Sequence, residues 1–210
     1  LLKRLSTFVN AGGVLLTTTV SGVSYLSEIL RQLVKEIRCS SCLTHKEQLE
    51  VLRPLLSPHL LTLKNMARSH DDWLIDNIVQ THTEGLLFSI PESIEALKKH
   101  YTVVGSSPKF LTDWRWYRNI HDDGYVSNQL AVDAYYRTCI NLMDFRYVRP
   151  PHDVELGREI ESRCAAVWNF RTKLASGDRL ALNCIWAELK EISLSIRAIA
   201  PETSSAINEA

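Results

Sequence analysis

His70-Asp71-Asp72-Trp73 sets an imidazole that titrates near neutrality beside carboxylates able to orient it and an indole able to wall a ligand. Those are the parts of a general base, with His70 and Asp72 as the catalytic pair and Trp73 against the substrate. The competing reading is a helix start whose acids complement the dipole and whose Trp packs inward. Further on, Trp114, Arg115, Trp116 and Tyr117 combine aromatic faces with a guanidinium, which suits a sugar or ring-shaped ligand. In a strand, Trp114 and Trp116 share one face, and core packing competes for at least one of them.

Cys39 and Cys42, with His45 and His59, hold the ligand types of a tetrahedral zinc site. The histidines lack the usual close spacing and no second cysteine pair exists, so no metal is expected. A redox role would want the pair at a helix start after a strand, which the sequence does not supply. His121-Asp122-Asp123-Gly124 reads as a polar turn.

The elements that must position these groups begin with an apolar stripe of Leu1, Leu2, Leu5, Phe8 and Val9, stopped by Asn10-Ala11-Gly12-Gly13. Val14 to Val20 is β-branched and apolar with little alternation, as in a strand covered on both faces. Val23, Leu26, Leu30, Leu33, Val34 and Ile37 then recur at helical spacing. Helix, double glycine, strand and helix in that order predict an α/β fold. Ligands in such folds sit at the carboxyl ends of the strands, which makes Thr19, Ser21 and Tyr25 candidate substrate contacts.

From Cys39 to Gln80 the pattern breaks into short helical pieces separated by Pro54 and Pro58, opened by a Thr44–Glu47 capping box and capped again at Ser69. This reads as a helical insertion or lid. Strand character returns at Gly85 to Phe88, Ser89 with Pro91 and Glu92 opens a helix, and Tyr101 to Gly105 and Phe110 to Tyr117 read as further strands. Beyond Asn119 three amphipathic stripes follow: Val132, Tyr135, Tyr136, Cys139, Ile140 and Met143; Ile160, Cys164, Val167 and Trp168; and Leu182, Ile185, Trp186, Leu189, Ile196 and Ile199.

Apolar residues make up 45% of the 210 and charged residues 23%, with 24 cations against 24 anions. That balance provides no long-range field toward nucleic acid or an anionic membrane, so neither is an expected partner. Five cysteines, an odd number, suit a reducing cytoplasm better than a disulfide framework. No apolar run reaches the length of a membrane span, and with Leu1 in place of Met the chain is expected to lie within a longer product or to have been trimmed from one.

Two stretches resemble class I S-adenosylmethionine-dependent methyltransferases of the Rossmann-like kind. In Leu1 to Val20, a helix runs through Asn10-Ala11-Gly12-Gly13 into a strand. In Phe88 to Pro108, Ser89-Ile90-Pro91-Glu92-Ser93-Ile94 leads to Tyr101-Thr102-Val103-Val104. The resemblance implies a partial Rossmann-like sheet over residues 1–119, with a lid at 39–80 and a three-helix extension over 120–210. It implies methyl transfer from S-adenosylmethionine to a small or carbohydrate-linked acceptor, with Thr19, Ser21, Tyr25, Trp73, Trp114 and Trp116 as acceptor contacts. The glycine-rich cofactor loop belongs upstream of Leu1, so this chain alone should bind the cofactor poorly. The alternative is a non-catalytic interaction module built on a vestigial half of that fold and the helical tail.

Overall fold

Ser21 starts the first long helix: its side chain accepts the Ser24 amide, and the Ser24 hydroxyl returns to the Ser21 N–H at 3.1 Å. The computed structural model describes residues 1–62, 66–80, 87–111, 125–144 and 146–209. We label the helices α1 (Leu2–Leu5), α2 (Gly22–Arg38), α3 (His45–Leu60), α4 (His70–Leu74), α5 (Ile90–Leu97), α6 (Tyr125–Thr138), α7 (Ile140–Met143), α8 (Val154–Ala175), α9 (Ala181–Ile196) and α10 (Pro201–Glu209). A 3₁₀ turn, Ser6–Phe8, follows α1, and a π-helical turn, Ile75–Val79, extends α4.

The expected α/β fold, with its partial Rossmann-like sheet, is overturned, because the described residues form an all-helical fold with no strand. Residues 14–19 form no ladder with any described residue, and Val14 and Leu16 are 75% and 93% exposed. Among the described residues the pairing is one antiparallel bridge, in which Val20 and Phe88 exchange N–H···O bonds of 2.9 and 2.8 Å. Among the described residues, a side chain bonds the backbone of residues 101–105. The Asn128 carboxamide oxygen accepts the Val103 N–H at 2.9 Å, and its amide donates to the Tyr101 carbonyl at 2.9 Å. β-Branched composition marks a chain that suits a sheet, but a sheet also requires partner strands at long sequence separation. The predicted strand at 110–117 falls mostly outside the described residues.

The main core joins α2 to α6 through α10. Val23, Leu26, Ile29 and Leu33 of α2 face Ile160, Cys164, Val167 and Trp168 of α8, and Ile185, Leu189, Ile192 and Ile196 of α9 close the other side. At 22 residues, α8 runs about 33 Å and packs along α2, α6 and α9. Two glycines set the spacing. A Cβ on Gly157 would lie 1.9 Å from the Tyr136 carbonyl oxygen of α6, and one on Gly22 would lie 2.7 Å from the Ala165 backbone nitrogen.

A second, smaller core gathers Leu52, Leu56 and Leu60 of α3 with Leu74, Ile78 and Val79 and, from the end of α2, Cys39. Here Pro54 and Pro58 do not divide the chain as their type suggested; α3 continues through both. Both prolines sit on the exposed face, and burial of the three leucines opposite outweighs the lost backbone bonds. Among the described residues no helix is long and apolar enough to cross a membrane.

Candidate functional site

Glu161 lies on the core-facing side of α8, next to Ile160 and one turn before Cys164, where a charged side chain has to find partners. Its carboxylate accepts the Gly22 N–H at 2.8 Å and the Tyr135 hydroxyl at 2.8 Å, and Val23 and Ser21 donate to it as well. Helix α2 therefore has two caps, Ser21 from its own chain and Glu161 from across the interface, both at the end where free amides and the dipole favour an anion. Burial pushes the Glu161 carboxyl above its ordinary range, against the pull of Tyr135 and the α2 amides.

Around this carboxylate every titratable neighbour is driven toward its neutral form. Burial first, and Glu161 second, push the Tyr135 phenol well above its usual range and the Cys139 thiol up to about 12. Cys164, fully buried beside them, is raised for the same reasons. Cys139 Sγ stands 4.0 Å from His152 Nε2 and points its weak donor at the Tyr136 and Gly157 carbonyls, 3.5 and 3.7 Å away. A cysteine beside a histidine has the parts of an activated nucleophile. Activation requires a depressed thiol, and here burial acts in the opposite sense. The cluster ties α2, α6 and α8 together as a buried hydrogen-bonded knot.

The residues singled out from sequence fall into two places. Ser21 and Tyr25 lie at the start of α2, beside this knot. Ser21 is buried and spent on the cap, while the Tyr25 hydroxyl accepts from Gln32 Nε2 at 3.1 Å and its ring meets Trp168 edge-on at 5.7 Å. Thr19 is half-buried in the extended segment before them. Both hydroxyls are thus engaged within the protein, Ser21 with Ser24 and Tyr25 with Gln32.

His70, Asp72 and Trp73 belong to α4. Asp72 is exposed and engaged with the cap: its amide donates to Ser69 Oγ at 3.1 Å, and that hydroxyl donates back to the carboxylate at 2.7 Å. Asp71 makes a bidentate pair with Arg53 at 2.9 and 2.8 Å. Trp73 packs under the Arg31 guanidinium, 5.4 Å from the ring centre, and edge-on to His59 at 6.3 Å. Arg31 Nε in turn donates to His59 Nε2 at 3.2 Å, and burial, then Arg31, hold that imidazole below its ordinary pKa. Arg31 sits ten residues beyond Ser21 on α2, about 15 Å along the axis, so the two groups of candidates do not converge. Trp114 and Trp116 lie outside the described residues.

Sequence reading missed Glu161 and the Arg31–His59–Trp73 stack. A signal for Glu161 was present in its i, i+3 spacing to Cys164 on a stripe otherwise apolar; the stack joins three helices and left none. A cleft of about 330 Å³ between the ends of α2 and α8 is lined by Lys35, Glu36, Cys39, Gln48 and Arg179, among others. Among the described residues no group of His, Cys, Asp and Glu side chains could hold a metal ion. Compared with protein-family models, curated proteins and solved structures, the chain matches none.

Proposed function

We propose that this chain is a non-catalytic helical interaction module that receives an apolar partner segment on the outer side of α9. The observation carrying this reading is the outward stripe of that helix. Leu180 at the helix's N-cap, Ala187 and Leu194 recur at helical spacing with Trp186 beside them, and Leu180, Trp186 and Leu194 are 76%, 44% and 52% exposed. The third amphipathic stripe had placed Trp186 inward. An apolar stripe centred on an aromatic side chain is the surface that a partner helix or peptide covers. Methyl transfer would draw instead on Ser21, Tyr25, Asp72 and Trp73, whose side chains are taken up by caps, ring packing and a cation–π contact.

Two measurements test this. A photoreactive benzophenone side chain in place of Trp186 should crosslink a discrete protein in extract of the source cells, while the same group at Asn208, exposed on α10, should not. S-adenosylmethionine should give no saturable calorimetric signal with the chain. Equal crosslinking at both positions, or micromolar binding of S-adenosylmethionine lost on Tyr25→Phe, overturns the reading.

A further inference from the structure

Cys39-Ser40-Ser41-Cys42 forms a tight turn between α2 and α3, closed by the Cys42 N–H donating to the Cys39 carbonyl at 3.0 Å. A four-residue turn of this kind holds its end Cα atoms within about 7 Å, the separation a disulfide spans, and Cys42 is near enough to push the Cys39 thiol up. They are unequal. Cys39 is buried in the small core with its Sγ 4.0 Å from the Gln48 carbonyl, whereas Cys42 is partly exposed.

We infer that Cys39 and Cys42 are a reversible dithiol–disulfide pair, oxidised at the partly exposed Cys42 by small disulfides of the glutathione class. Cys42, as thiolate, attacks one sulfur of the small disulfide; a mixed disulfide forms and one glutathione thiolate leaves, taking up the Cys39 proton. Cys39 then attacks the Cys42 sulfur, closing the protein disulfide and expelling the second glutathione thiolate, which takes a proton from solvent. Two protein thiols lose two electrons, and the small disulfide gains them as two thiols. Burial, then Cys42, push the Cys39 thiol up to about 11, and a thiol so hard to ionise favours the closed disulfide over the open thiolate form.

The test equilibrates the full chain, with exposed Cys184 replaced by Ser, against glutathione buffers of graded ratio, followed by acid quench, alkylation and peptide mapping. The expected product is the Cys39–Cys42 disulfide, with an equilibrium constant at least about tenfold above that of an unstructured peptide of the same sequence, because the fold holds the thiols together. In Cys39→Ser, Cys42 should stop at the mixed disulfide; in Cys42→Ser, buried Cys39 should stay unmodified. A constant no higher than the peptide's, or a wild-type chain that accumulates only the mixed disulfide, overturns the inference.

Discussion

Gly157 of α8 lies against the α6 backbone, and Gly157→Ala reverses the usual sign of a glycine replacement inside a helix. In an unhindered helix Ala stabilises by about 1 kcal/mol relative to Gly. Here the added methyl would lie 1.9 Å from the Tyr136 carbonyl oxygen, with the Tyr136 carbonyl carbon and Cα next in line at 2.7 and 3.0 Å. A carbon–oxygen contact needs about 3.3 Å, so α6 would have to move off α8 by roughly 1.4 Å. The obstacle is backbone, which no rotamer change can clear, and the buried Tyr135, Cys139 and Ile160 around the crossing would lose contact as it opened. Overpacking costs about 1–3 kcal/mol, with the upper end applying here. After the propensity gain the expected net loss is about 2 kcal/mol, or roughly 4–8 °C in Tm for a chain of this size. Urea and thermal unfolding of the purified variant measure it. An unchanged or higher midpoint would mean that α6 does not cross α8 at Gly157, and the packing of α2, α6 and α8 around Glu161 would go with it.

Two pH predictions follow from the buried titratable groups. Burial raises the Glu161 carboxyl from its ordinary 4.5, so the folded state holds that proton more tightly; this contribution is complete below pH 4.5 and is lost as pH rises through the raised value. Relative to Glu161→Gln, the wild type should therefore lose stability on going from pH 4 to pH 7 in paired urea titrations, and a relative gain would refute the assignment. His59 has the opposite sign: its pKa is lowered from 6.5, so its contribution is present above pH 6.5 and lost as pH falls toward the lowered value, when the protonated ring can no longer accept from Arg31. Between pH 7 and pH 5 the wild type should lose more stability than His59→Gln, read from the same titrations, and parallel curves would show that Arg31 does not depend on a neutral His59.

Interactions spanning three or four residues were legible without any structure. Thr44 with Glu47, Ser69, and Ser89 with Glu92 all cap helices where the sequence places caps, because a cap joins a side chain to an amide three positions away. The stripe Ile160, Cys164, Val167 and Trp168 is fully buried as its spacing requires. Trp186 breaks the rule on the next helix, since periodicity names a stripe but only the partners decide how wide a stripe is covered.

The architecture was settled at longer range. Val14 to Val20 and Tyr101 to Gly105 have strand composition, yet one contributes a single bridge to Phe88 and the other is bound by the Asn128 side chain, more than twenty residues away. Nothing within either segment specifies which of those outcomes applies. The same holds for Glu161, Tyr135 and Gly22, which come from three helices and meet only because Gly22 and Gly157 lack side chains at the crossings. Local sequence marked the caps of α3, α4 and α5 and the inward stripe of α8. Tertiary packing alone decided that helices rather than a sheet enclose the core, because burial and polar satisfaction are shared among segments distant in the chain.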